Sequence, residues 1–187
     1  MNVASIDPRM GSDIVAEELE DLKQRIIANM QNAKAVATGN TIRSLHVIRW
    51  PFGATLESQQ RMPFGVLETG RRGGNVPQPV IHGVPVGFAA IIYRWMQAKG
   101  IHATDVPKPK NPWMVSTISD QERADRSLSF AIATSIMKKG TRLYQDGGRD
   151  TIYTKEIPVT IERVQKRLGM LVQAIVVEQI QATIPTR

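Results

Sequence analysis

Seven apolar residues, Val15, Leu19, Leu22, Ile26, Met30, Ala33 and Ala37, recur at spacings of 4, 3, 4, 4, 3 and 4. A strand would scatter them over both of its faces, whereas a helix gathers them into one stripe. The pattern predicts an amphipathic helix over 13–37, with Ser12 or Asp13 at its start and Gly39 beyond its end. A second stripe closes the chain. Ile161, Val164, Leu168, Leu171, Ile175, Glu178 and Ala182 keep the helical spacing, and Val172, Val176 and Ile180 widen it. This helix is expected from about Pro158 to 183, with Pro185 ending it.

Between the two stripes the period changes. Leu45–Trp50 is β-prone, Pro51-Phe52-Gly53 is a turn, and Ala54–Ser58 returns with partial alternation, which reads as a hairpin. Helices are expected from about Val86 to Lys99 and from Asp120 to Lys139. The first should bury Phe88, Ile91, Ile92, Trp95 and Met96, and the second Leu128, Ile132, Ile136 and Phe130. Proline marks 73–87 and 102–118 as extended arms, too long for ordinary connections. The expected fold is a single α+β domain spanning 1–187. In it a long N-terminal helix packs on a small antiparallel sheet, followed by further helices, a long C-terminal helix and the two arms. Aromatics make up only 5% of the chain, so its core must be mostly aliphatic.

Several kinds of chemistry find no support. There is no cysteine, hence no disulfide, thiolate site or cysteine nucleophile. His46, His82 and His102 lack the spacing of a helical metal site, and no serine sits in a Gly-x-Ser-x-Gly elbow. The acids Glu17, Glu18, Glu20 and Asp21 are explained by the positive end of the first helix. No catalytic residue, metal or cofactor is expected, and no enzyme. No apolar run approaches a membrane span, and the N-terminus lacks a signal-peptide pattern, so the chain reads as soluble and intracellular at synthesis.

Charge is unevenly spread. Residues 61–112 carry 7 bases against 2 acids, and 138–187 carry 9 against 5. Such surfaces meet nucleic acid or acidic proteins by the same electrostatics. The candidate interface residues are Arg71, Arg72, Lys108, Lys110, Arg142 and Arg149, with Lys138 and Lys139 beside them. Gly70-Arg71-Arg72-Gly73-Gly74 could cradle a phosphate, yet matches neither a Walker loop nor a dinucleotide fingerprint. Docking on a neighbouring subunit explains that loop equally well.

The order of elements carries a resemblance. After the long helix come Thr38 and Gly39, then Ser44, Leu45 and Val47 leading into the hairpin. Phe64, Leu67, Glu68, Gly70, Arg71 and Arg72 follow in an aromatic-x-x-aliphatic-Glu-x-Gly-basic segment. This resembles the neck, head–tail connector and tail-completion ring proteins of tailed bacteriophages. Gly140–Tyr144 with Gly147–Tyr153 is similar to a further segment of some members. The resemblance implies a non-enzymatic virion protein, made in the host cytoplasm, that forms an oligomeric ring at the neck or upper tail. Its implied partners are copies of itself, portal, adaptor and tail ring proteins, and double-stranded DNA passing through the lumen without sequence preference. The alternative reading is a small basic nucleic-acid-binding accessory protein.

Overall fold

The computed structural model describes residues 8–36, 39–59, 64–74, 80–81, 84–85, 87–105 and 118–183. It is α+β. The chain divides into two compact units, Met1–Phe64 with Asp150–Arg187, and Gly65–Arg149.

In the first unit, helix α1 spans Pro8–Asn32 and helix α2 spans Asn40–Arg43. Strands β1 (Leu45–Trp50) and β2 (Gly53–Ser58) pair antiparallel from Leu45↔Ser58 to Trp50↔Gly53. This leaves Pro51 and Phe52 as a two-residue turn. As the sequence predicts, the long N-terminal helix packs on both strands of the hairpin. Its bounds differ from expectation. It starts earlier, at Pro8, a favoured first-turn residue. It ends earlier because Lys34 turns left-handed, with φ 52°. The amides of Ala35 and Lys34 then donate to the carbonyls of Met30 and Gln31, both at 2.9 Å. That pair of bonds is a Schellman closure with lysine where glycine is usual.

Leu22, Ile26 and Met30 are buried as expected, while Leu19 and Ile27 are half-buried. The final helix of the chain covers the rest of α1. Before it in sequence, the second unit holds α3 (Val66–Thr69), the antiparallel pair β3 (Val80–Ile81) and β4 (Val84–Pro85), and helices α4 (Phe88–Lys99) and α5 (Asp120–Lys139). A further short helix, α6 (Arg142–Gln145), begins under a cap from Thr141. The final helix, in the first unit, is α7 (Glu156–Thr183).

α7 runs antiparallel to α1 and is tied to it by polar contacts. Asn29 donates to the Ile152 carbonyl and to Glu156, each at 3.2 Å. Arg25 reaches Glu156 at 2.9 Å and Thr160 at 2.7 Å. Arg163 reaches Asp21 at 2.8 Å, and Arg167 bridges Glu17 at 2.6 Å and Glu18 at 3.0 Å. The acids therefore do not compensate a helix dipole, as the sequence suggested. The helix starts at Pro8, so all four lie mid-helix: Glu17, Glu18 and Asp21 face the arginines of α7, and Glu20 pairs with Lys23 of its own helix.

In the second unit, α4 and α5 form a helical hairpin around Ala89, Ile92, Met96 and Ala133. The inward faces are rotated from those expected. Ile91 and Trp95 point outward, and α5 buries Ala124, Asp125, Ser129, Ala133 and Met137. Leu128, Phe130, Ile132 and Ile136 pack only partly buried at the edges. Small residues at the centre let two helices approach closely, and the larger side chains then close the flanks. Of the two expected arms, 75–79, 82–83, 86 and 106–117 lie outside the described residues.

Candidate functional site

The second unit gathers most of the predicted basic residues at a crossing of two glycine-rich segments. The Arg71 amide donates to Thr141 Oγ1 at 3.0 Å, and its carbonyl accepts from the Thr141 amide at 2.9 Å. Three residues on, the Gly74 amide donates to the Met137 carbonyl. A Cβ on Gly73 would stand 2.5 Å from the Lys138 carbonyl oxygen, and one on Gly140 would stand 2.8 Å from the Arg71 oxygen. Only glycine permits backbones this close. The loop at 70–74 is thus shaped by the end of α5 in its own chain, a partner that local sequence could not reveal.

The arginines divide into two kinds. Arg71 turns inward, its guanidinium 4.2 Å from the Phe88 ring centroid and 3.1 Å from Met137 Sδ. Arg149 is half-buried, and its amide donates to the Glu68 carbonyl at 2.8 Å. Arg72, Lys138, Lys139 and Arg142 are exposed. Arg142 is 93% exposed and holds only a long 3.5 Å contact to Asp146. The two lysines sit on the last turn of α5, where the helix dipole favours cations. Lys108 and Lys110 lie outside the described residues. The exposed four can neutralise a phosphate backbone or an acidic protein face, with no means of reading bases.

One polar site has no counterpart among the sequence expectations. Asp125 is buried, yet its carboxylate accepts from His102 Nδ1 at 2.9 Å, from the Ala103 amide at 2.7 Å and from Gln121 at 3.0 Å. The bonds from His102, Ala103 and Gln121 outweigh burial and hold its pKa down at about 2, from an ordinary 3.8. A cleft of about 400 Å³ lies beside it, lined by His102, Thr104, Asp105, Ser127 and Leu128 among others. No hydrogen bond joins Ser127 to His102, so the two do not form a nucleophile relay, and the carboxylate anchors the 101–105 loop to α5. The signal in the sequence was the step of four from Asp125 to Ser129, Ala133 and Met137, which places the acid on the inward face.

The first unit carries the apolar surfaces. Phe52, at the hairpin turn, is 86% exposed, and Trp50 beside it is exposed too. An apolar groove of about 490 Å³ runs between α1, the hairpin and the start of α7, with Leu22, Leu45, Leu56, Phe64, Tyr153 and Ile157 in its lining. Along α7, Met170, Val172, Val176, Val177 and Ile180 are all about half exposed. Among the described residues, no helix is long and apolar enough to cross a membrane, and no group of three acidic or histidine side chains could hold a metal ion.

Comparison with known protein families, with curated proteins and with solved structures yields no match.

Proposed function

We propose that this chain is a structural subunit of a ring at the head–tail junction or upper tail of a tailed bacteriophage. There it joins portal or adaptor to tail and lets double-stranded DNA pass. The observation that carries the reading is the uncovered apolar face of α7. Five large apolar residues stand about half exposed within eleven positions of one helix. Such a patch is the mark of an assembly surface. The resemblance over 38–72 supports the same conclusion, and so does the α+β fold with its long helix on a hairpin. The exposed cations at the 70–74 and 137–142 crossing suit diffuse contact with phosphates. In this reading the protein has no catalytic role. It accumulates in the host cytoplasm before assembly and ends in the virion.

The test is localisation by labelling. Gold-labelled antibody against the chain should mark purified particles at one point, between head and tail. Label absent from particles and recovered with free nucleic acid would favour the accessory DNA-binding reading, which the cluster Arg72, Lys138, Lys139 and Arg142 alone supports.

A further inference from the structure

Nearly all of the chain's excess charge sits in one unit. Residues 65–149 carry 12 bases against 6 acids, whereas the rest of the chain carries 12 against 11. Within the second unit the two signs are sorted along α5. Asp120, Glu122 and Asp125 lie on its first two turns, and Asp105 lines the cleft beside them. Lys138 and Lys139 end the same helix, and the crossing adds Arg72 and Arg142. A 20-residue helix holds its ends about 30 Å apart, some three times the roughly 10 Å over which exposed charges act at ordinary salt. The acids at one end therefore cannot offset the cations at the other. Of the two remaining acids, Glu68 is buried and Asp146 makes the long contact to Arg142.

The cations at the crossing are not consumed by the fold. In the first unit Lys23, Arg25, Arg49, Lys155, Arg163 and Arg167 each hold a carboxylate. Arg72, Lys138 and Lys139 hold none among the described residues. Nor do the lysines serve as caps, because the carbonyls of Ile136 and Met137 accept from the amides of Gly140 and Gly74. The helix dipole amounts to about half a charge, so it balances one lysine at most. Among the described residues of the crossing, Tyr144 is the one exposed large apolar side chain. A protein interface packs around an apolar or aromatic centre and is poor in lysine. A phosphodiester backbone asks only for cations, and a lone tyrosine gives no platform for stacking a single strand.

We propose that the C-terminal end of α5, with the crossing, is a docking surface for the phosphodiester backbone of double-stranded DNA, contacted by Arg72, Lys138, Lys139 and Arg142. Cations on phosphates carry no base code, so the contact is independent of sequence. The proposal deepens the reading of a ring that conducts DNA and rests on it for the source of the duplex, while the docking itself needs one copy only.

Full-length protein is titrated into a fluorescent duplex of about 30 base pairs, with anisotropy read between about 50 and 200 mM salt and particle size read by light scattering. Four phosphate contacts give about a 100-fold fall in affinity over that range. Lys138→Gln with Lys139→Gln should halve the slope of log affinity against log salt, however many copies touch one duplex. Melting should stay unchanged, since both side chains are exposed. Arg49→Gln, in the hairpin of the first unit, should leave the slope as it is. A wild type that fails to bind at about 50 mM salt, or a slope that the double substitution leaves intact, overturns the proposal. Retention on immobilised polyglutamate without binding to the duplex, lost in the double variant, assigns the surface to an acidic protein and also overturns it. Any of these failures in a protein that runs as a closed oligomer leaves the ring reading standing. Duplex binding with the halved slope by a monomer upholds the docking surface and overturns the ring.

Discussion

Gly73 and Gly74 stand side by side and carry opposite expectations. A methyl group on Gly73 meets the Lys138 carbonyl at 2.5 Å and the Gly140 amide at 2.7 Å, both of them backbone that cannot swing away. Gly73→Ala should cost about 1–3 kcal/mol in chemical denaturation. Gly74 has open space there, so Gly74→Ala should fall between neutral and about 1 kcal/mol stabilising, through a less flexible unfolded chain. Equal effects at both positions would mean the two segments do not cross. Local pattern showed these glycines as a loop, but their purpose depends on residues more than sixty positions away. Asp125 was hidden for a related reason, since a single acid in a charged helix draws no notice until its face is known. Its pKa is lowered to about 2, so its contribution to stability is complete above the ordinary carboxylate value. That contribution is lost as pH falls from about 4 towards 2. Asp125→Asn should remove this acid-side dependence and lower stability by about 1–3 kcal/mol at neutral pH. An unchanged pH profile in the variant would contradict the anchor.

At the scale of elements, periodicity was a good guide wherever a helix buries large aliphatic side chains in its own unit. The stripe on α1 contains Leu22, which is buried against its neighbours, and Leu22→Ala should cost about 2–5 kcal/mol by thermal or chemical unfolding. The same spacing rule points to the wrong face of α5, because it follows the largest residues, whereas α5 turns Ala124, Ser129 and Ala133 inward. It also misses the role of Glu17, Glu18 and Asp21, whose partners Arg163 and Arg167 lie some 140–150 positions along the chain. Those pairs are partly exposed, so salt should weaken them. Arg167→Met should therefore cost less in high salt than at low salt. A cost independent of ionic strength would mean that the side chain acts by packing. The short helices α3 and α6 gave no periodic signal at all, since four residues make barely one turn.

At the scale of the whole molecule, the legible part of the site was its inventory. The basic residues and the two long stripes stood in the sequence, as did the order of elements that carries the family resemblance. What only the structure supplies is the division between cations turned inward, such as Arg71, and cations left outward, such as Arg72 and Arg142. It also supplies the distinction between the half of α7 that α1 covers and the half that it leaves bare. Exposure of a predicted apolar stripe is a tertiary fact, because a spacing pattern cannot say where the partner ends. Arg71→Lys should mainly disturb packing on Phe88, since lysine lacks the planar fork, and it should lower stability before it alters any association. Arg72→Lys should leave stability unchanged. If copies of this chain close into a ring, native mass spectrometry of the purified wild-type protein should show one discrete species of high copy number that persists on dilution. A monomer or dimer as the largest species at every concentration would contradict it.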